Sequence, residues 1–293
     1  MNRERLASGS QAWGVIASQP LLYRTEQQEV IAFQAPARRR QTPRGIPLAL
    51  LSLHDPAAML ILLPPSETKA HGGEGPPLDL AALGFPELTK TRTRLTAALI
   101  RLARNRKASR AALGLSPRQD AEIARNAELA SSPTMPAYAR YTGVLYDALD
   151  APTLPAQARG SLLIASALFG VLRADDPIPA YRLSGGSTLP RIGRPGALWR
   201  PTLARTLTAC GPIVDLRSGD YARLAPLPDA FTARVVGRDG SVVSHHNKAT
   251  KGLVARALAS SGAETFSEVL RAAAAAGFDV AQTGERAFEV TVS

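Results

Sequence analysis

The chain is poor in the residues from which proteins build cross-linked or metal-held frameworks. Cys210 is its single cysteine. That excludes an internal disulfide framework, and any zinc or iron–sulfur site built from the cysteines of one chain. A lone thiol fits a reducing cytoplasm. The histidines are His54, His71, His245 and His246, too few for a histidine-rich metal centre, so no metal and no other cofactor is expected. No apolar run reaches the roughly 18 residues that a membrane helix needs. Acidic residues are also scarce, with 24 Asp and Glu against 35 Lys and Arg, a net charge of +11 over 293 residues. Such an excess favours polyanionic partners, nucleic acid first and phosphorylated small molecules second. Heavy use of Ala, Arg and Pro suits a GC-rich genome, but exchanging Lys for Arg leaves net charge unchanged.

Residues 1–58 show no sustained periodicity. They hold Arg38-Arg39-Arg40 and a short apolar stretch, Ile46 to Leu53, interrupted by Pro and Ser. An export signal needs a longer unbroken apolar run. The segment reads as a poorly ordered N-terminal extension, and Met59 reads as the native start of a domain covering 59–293. Met59-Leu60-Ile61-Leu62-Leu63 then forms an apolar run of strand length, closed by Pro64-Pro65. Pro cannot donate to a ladder, so the strand opens there into a polar turn, Ser66-Glu67-Thr68-Lys69.

Between residues 85 and 130 the pattern is helical, with Leu95, Leu99 and Leu102 on one face. Ten Lys or Arg fall between residues 90 and 125, opposed only by Asp120 and Glu122, so most of the chain's excess charge is concentrated here. Leu113-Gly114-Leu115-Ser116-Pro117-Arg118 sits between two helical stretches. One reading is an ordinary helical hairpin. The other is a helix-hairpin-helix turn in which Gly114 and Ser116 free backbone N–H groups to bind a DNA phosphate, with Lys107, Arg110 and Arg118 adding charge contacts.

Further on, Ser161 to Leu168 and Ile213 to Leu216 read as buried strands. Ala233 to Val236 and Ser241 to Ser244 read as a hairpin across Gly237-Arg238-Asp239-Gly240. Lys251 to Leu258 and Glu264 to Gly277 read as helices, and Ala287 to Val292 as a closing strand. A loop after Gly170 presents Arg173, Asp175, Asp176, Tyr181 and Arg182. It suits either a small planar or anionic ligand or an internal ion-pair network. Lys248, Lys251 and Arg256 cluster where a strand is expected to run into a helix. Gly284-Glu285 precedes the last strand and reads as a turn that can supply a carboxylate.

Taken in order, these blocks resemble the YaaA peroxide-stress resistance family, in an actinobacterial type. The resemblance runs from Met59 to the C-terminus. It rests on the opening strand with Pro65 and Lys69, on Tyr141-Thr142-Gly143, on Gly170-Val171-Leu172-Arg173 and on Pro179-Ala180-Tyr181-Arg182-Leu183. Asp220-Tyr221, Lys248 with Lys251-Gly252 and Arg256, and Gly284-Glu285 with Phe288 complete it. It implies a single mixed α/β (α+β) domain, a central mixed sheet flanked by helices with a helix-hairpin-helix element. It also implies double-stranded DNA binding through the backbone and a role in limiting iron-driven oxidative damage.

Two functions follow as expectations. One is a cytoplasmic, non-membrane stress protein that grips DNA phosphates through the basic helical segment. The other is an enzyme or binding protein for a nucleotide, nucleobase or other small anionic ligand. Its pocket would take catalytic groups from Lys69, Asp176, Lys248 and Glu285, and ligand-binding groups from Arg173, Tyr181, Arg182, Lys251 and Arg256.

Overall fold

The computed structural model describes residues 59–237 and 244–292. The expected N-terminal extension lies outside the described residues, as do Arg238-Asp239-Gly240 and all but the last residue of the second hairpin strand.

A seven-stranded sheet forms the centre. Its opening strand, β1 (Leu60–Leu63), is buried along its whole length, as expected for a strand covered on both faces. Each of its side chains contributes about 2 kcal/mol by leaving water. In the small second sheet, β2 (Gly75–Pro77) pairs with β3 (Pro133–Pro136), and β3 in turn with β6 (Pro177–Ile178). The main sheet adds β4 (Leu162–Ser166), β5 (Gly170–Arg173), β7 (Ile213–Asp215), β8 (Phe231–Gly237), β9 (Asp279–Gly284) and β10 (Ala287–Val292). The order is β5-β4-β1-β7-β8-β10-β9. The five inner strands run parallel. Each edge is closed by an antiparallel strand, β5 against β4 and β9 against β10. This is a mixed α/β domain, as the sequence implied.

The helices surround it. α1 (Thr89–Ala103) buries Leu95, Leu99 and Leu102, as their spacing requires. α2 (Arg106–Leu113) ends on Gly114 in the left-handed conformation, φ 64°. A 3-10 turn over Pro117–Gln119 leads into α3 (Asp120–Ala127). α4 (Ala137–Arg140), α5 (Val144–Leu149) and α6 (Ala156–Gly160) lead to β4, and α7 (Pro195–Ala209) precedes β7. α8 (Gly219–Leu224) links β7 to β8, and α10 (Phe266–Ala275) precedes β9. α9 (Ser244–Ser261) begins seven residues earlier than the periodicity suggests. His245, His246 and Lys248 therefore lie on helix backbone, where a strand and its junction were expected, and Lys251, expected at the helix start, lies inside it. α9 crosses α5 so closely at Gly252 that a Cβ there would run into the carbonyl oxygen of Leu145.

The connections leaving β1 and β7 diverge. From β1 the chain passes to β4 on one side, and from β7 to β8 on the other. Neighbouring parallel strands with opposed exits leave a crevice at their carboxyl ends, the usual ligand position in open α/β sheets.

Candidate functional site at the carboxyl edge of the sheet

The chain leaves β1 through Pro64-Pro65 and is zipped against the segment around Tyr141. Thr142 N donates to Thr68 O (3.2 Å), Ala70 N donates to Arg140 O (2.8 Å), and Lys69 forms a bridge with Tyr141. Thr68 Oγ1 donates to Thr142 O at 3.1 Å. Gly143, at φ 98°, makes room for this contact, because a Cβ there would stand 3.3 Å from Thr68 Oγ1. The clamp behind it is Arg140, which is fully buried. Its guanidinium donates to the carbonyl oxygens of Ala70, Gly72, Pro133 and Ile178.

Lys69 is thereby drawn inward to 8% exposure. Its Nζ donates to Ser66 O at 3.0 Å and stands 4.4 Å from the centre of the Tyr181 ring and 5.3 Å from that of Tyr141. Burial lowers its pKa to about 8, against the raising effect of Glu67, with Arg182 adding to the lowering. A lysine so placed carries a reactive fraction of free amine near neutral pH.

Beside it runs a chain of hydroxyls. Tyr141 Oη lies 2.7 Å from Tyr181 Oη, which lies 2.8 Å from Ser166 Oγ at the end of β4. Ser166 Oγ already accepts from the backbone N–H groups of Leu168 and Phe169. Both its lone pairs are thus used, and its own proton goes to Tyr181. Tyr181 can then donate to Tyr141, which leaves the Tyr141 proton at the end of the chain. Burial holds both phenols protonated, Tyr141 at about 12 and Tyr181 well above the usual value.

Arg182 completes the cluster. Asn126 fixes its backbone on both sides, accepting from Arg182 N at 2.8 Å and donating to Arg182 O at 2.9 Å. Its guanidinium pairs with Glu67 at 2.8 Å, while its Nε is buried without a hydrogen-bond partner. Glu67 is about half exposed, so this ion pair lies at the solvent side. Tyr221, brought in by α8, accepts from Gly185 N and is pushed up by burial and by the nearby Glu67.

The structure thus brings together Lys69, Tyr181 and Arg182 of the residues expected from sequence. Lys251 borders the same edge, where its Nζ donates to Leu216 O just past β7, and burial lowers its pKa. Lys248 lies one turn earlier on α9 and is exposed. Arg256 is farther along, donating to the carbonyls of Leu149 and Asp150 that end α5.

Arg173 and Asp176 lie elsewhere. Arg173 pairs with Leu163 near the start of β4, whereas Ser166 marks its end. The Asp176 carboxylate accepts from the N–H groups of Gly84 and Arg173, and burial raises its pKa. Asp175 meets Arg159. The residues of this loop that precede Tyr181 serve as an internal network. Glu285 is exposed in the turn before β10, at the amino end of the parallel strands and therefore across the sheet from Lys69.

Tyr141, Ser166 and Glu67 were not singled out as site residues. Tyr141 sits beside a Gly with positive φ, and Ser166 is a hydroxyl at the end of an apolar strand; neither signal separates a site from an ordinary turn.

On the basic segment, Lys90, Arg94, Arg101, Arg104, Arg106, Lys107 and Arg118 are exposed. Arg92 is not: it is fully buried, donating to the carbonyls of Gly84, Phe169 and Val171. Arg110 is held by Asp120 through two bonds of 2.8 and 2.6 Å, and Arg125 by Glu122 at 2.6 Å. Gly114 and Ser116 form the exposed turn between α2 and α3, where Ser116 N donates to Gln119 Oε1. Among the described residues, no group of three or more His, Cys, Asp or Glu is arranged to hold a metal ion, and no helix is long and apolar enough to cross a membrane.

Comparison with known proteins supplies a family. The model described as Peroxide stress protein YaaA matches residues 59–283. A UPF0246 protein of Corynebacterium glutamicum is 49% identical over 233 residues, covering 76% of this chain and 94% of that protein. One from Corynebacterium efficiens is 49% identical over 235 residues, with the same coverage of both chains. A UPF0246 protein of Streptomyces coelicolor is 41% identical over 238 residues, covering 76% of this chain and 92% of its own.

Proposed function

The chain belongs to the YaaA peroxide stress protein family, and from that premise we propose that it serves the peroxide response in the cytoplasm by holding double-stranded DNA along its phosphates. The supporting observation is the exposed basic face of the helical segment. Lys90, Arg94 and Arg101 recur at i, i+4 and i+11 on α1 and so share one stripe. Arg104, Arg106, Lys107 and Arg118 extend the charge past its end. Cations arrayed in this way bind backbone without reading sequence and release the counterions condensed on it. Ferrous iron is among the cations so displaced, which gives a physical route to limiting iron-driven damage without an iron site in the protein.

The test is duplex binding as a function of salt. The triple variant Lys90→Glu, Arg94→Glu, Arg101→Glu should weaken binding and flatten the log–log salt slope by about 0.9 for each lost phosphate contact. Arg118→Glu should act in the same direction. An unchanged slope would remove this face as the DNA site. Arg110 is a poor probe, because its charge is already answered by Asp120.

A second reading concerns the carboxyl edge of the sheet, and the buried Lys69 beside Arg182 favours it. A small anionic ligand would take Arg182 from Glu67 and lie against Lys69, Tyr141 and Tyr181. Its test is saturable binding of a small dianion such as oxalate, followed by calorimetry, with Arg182→Gln expected to abolish the heat.

A further inference from the structure

Resting on that second reading, we propose that Lys69 is a Schiff-base lysine whose amine condenses with a small carbonyl compound bearing an anionic group. Three features meet at this one residue. The amine is buried, and its polar contacts are the carbonyl oxygens of Ser66 and Glu67. Among the described residues no carboxylate is in ion-pair contact with it; that of Glu67, whose charge acts on it most, is engaged by Arg182. The adjacent hydroxyl chain starts from Ser166, whose proton is directed to Tyr181, and runs on to Tyr141, so it can present a proton at Tyr141. Arg182, with an unpartnered buried Nε, supplies the charge for the anionic end.

The step is a simple condensation. The amine lone pair attacks the carbonyl carbon, and the C–N bond forms as the carbon–oxygen π bond breaks. A proton leaves nitrogen and reaches the oxygen through the Tyr141 hydroxyl, giving the carbinolamine. Loss of water then leaves the imine, with no change of oxidation state. Glu67 controls entry: while it holds Arg182, the anion has no partner, so the ion pair works as a latch over the amine.

Arg182 and the latch make specific demands. A carbonyl compound with a carboxylate or phosphate should react, and a neutral aldehyde of the same size should not be favoured. The chain's lysines are Lys69, Lys90, Lys107, Lys248 and Lys251. Lys90, Lys107 and Lys248 are exposed, and Lys251 is as buried as Lys69 but has its Nζ on the Leu216 carbonyl. The molecule therefore carries its own controls.

The experiment treats the full chain near pH 8 with glyoxylate or with propionaldehyde under sodium cyanoborohydride, then maps the reduced adducts by peptide mass spectrometry. Glyoxylate should modify Lys69 ahead of the exposed lysines and of Lys251. Its preference over propionaldehyde should be at least about tenfold, the worth of one charge-assisted hydrogen bond. Arg182→Gln should erase that preference, Glu67→Gln should speed the reaction, and Tyr141→Phe should slow it. Modification that follows exposure, or that treats Lys69 and Lys251 alike, overturns the proposal. Oxalate separates the two levels: if it binds through Arg182 while Lys69 gives no adduct, the imine is wrong and the ligand site survives. If oxalate does not bind either, both fall.

Discussion

Arginine in this chain has three separate occupations, and burial sorts them. Arg92 and Arg140 are clamps: each guanidinium is spent on backbone carbonyls, and burial lowers both pKa values to about 10. Arg110, Arg125, Arg159 and Arg217 are among those paired with carboxylates. A third set, exposed on the basic helices, is left to meet a phosphate. A count of charges along the sequence cannot distinguish these groups, because nothing local to Arg92 marks it as buried except its place beside the Leu95–Leu99 stripe. The clamp predicts a large effect. Arg140→Leu orphans several carbonyls at once, so it should cost about 3 kcal/mol or more in urea unfolding, whereas Arg118→Glu should leave stability within about 0.5 kcal/mol. Lys69 predicts a pH signature. Its folded pKa of about 8 lies below the unfolded value of 10.5, so the unfolded chain binds the extra proton and stability rises with pH between the two. Lys69→Met removes a penalty that is present in full below pH 8. Even after the loss of its hydrogen bonds to Ser66 and Glu67, the variant should be more stable at pH 7, by about 1–2 kcal/mol. That advantage should shrink by pH 10, which denaturation at the two pH values would show.

At the level of elements, the sequence reveals what is apolar and continuous. β1 and β4 could be read from continuous apolar runs, β7 and β10 from short apolar-rich segments, and α1 from its leucine stripe. β5 is short and buried but opens on Gly170, which masks it; β2 and β3 are rich in Pro and β9 is almost wholly exposed, so these three carry no apolar strand pattern, and pairing rather than burial makes each of them a strand. α9 was read too short since Ser244, His245, His246 and Asn247 are weak helix formers. Its contact with α5 predicts an asymmetry between two glycines. Gly252→Ala places a methyl against the Leu145 carbonyl and should cost about 1–3 kcal/mol or more. Gly114→Ala meets open space and pays only for its left-handed backbone, about 1–2 kcal/mol. A urea midpoint for each variant would rank them.

For the whole molecule, sheet order was beyond reach of the sequence, and with it the site. Lys69 is far along the chain from the adjacent Tyr181 and Arg182, and only the placement of β1 between β4 and β7 brings them to one edge. The same order separates Glu285 from them, although both Lys69 and Glu285 flank strands in similar local settings. Strand order also ends the sheet at β5, whose outward carbonyl at Val171, with that of Phe169 just before it, is occupied by Arg92. A free strand edge is a template for another chain. Here an internal guanidinium, itself fully buried, occupies the Val171 acceptor and the one at Phe169 beside it, so the edge is closed from within. Arg92→Leu should therefore do more than loosen the fold. By leaving buried carbonyls without a donor it should loosen α1 from this edge and so uncover a hydrogen-bonding rim, and light scattering at rising concentration should report more oligomer than the parent chain forms.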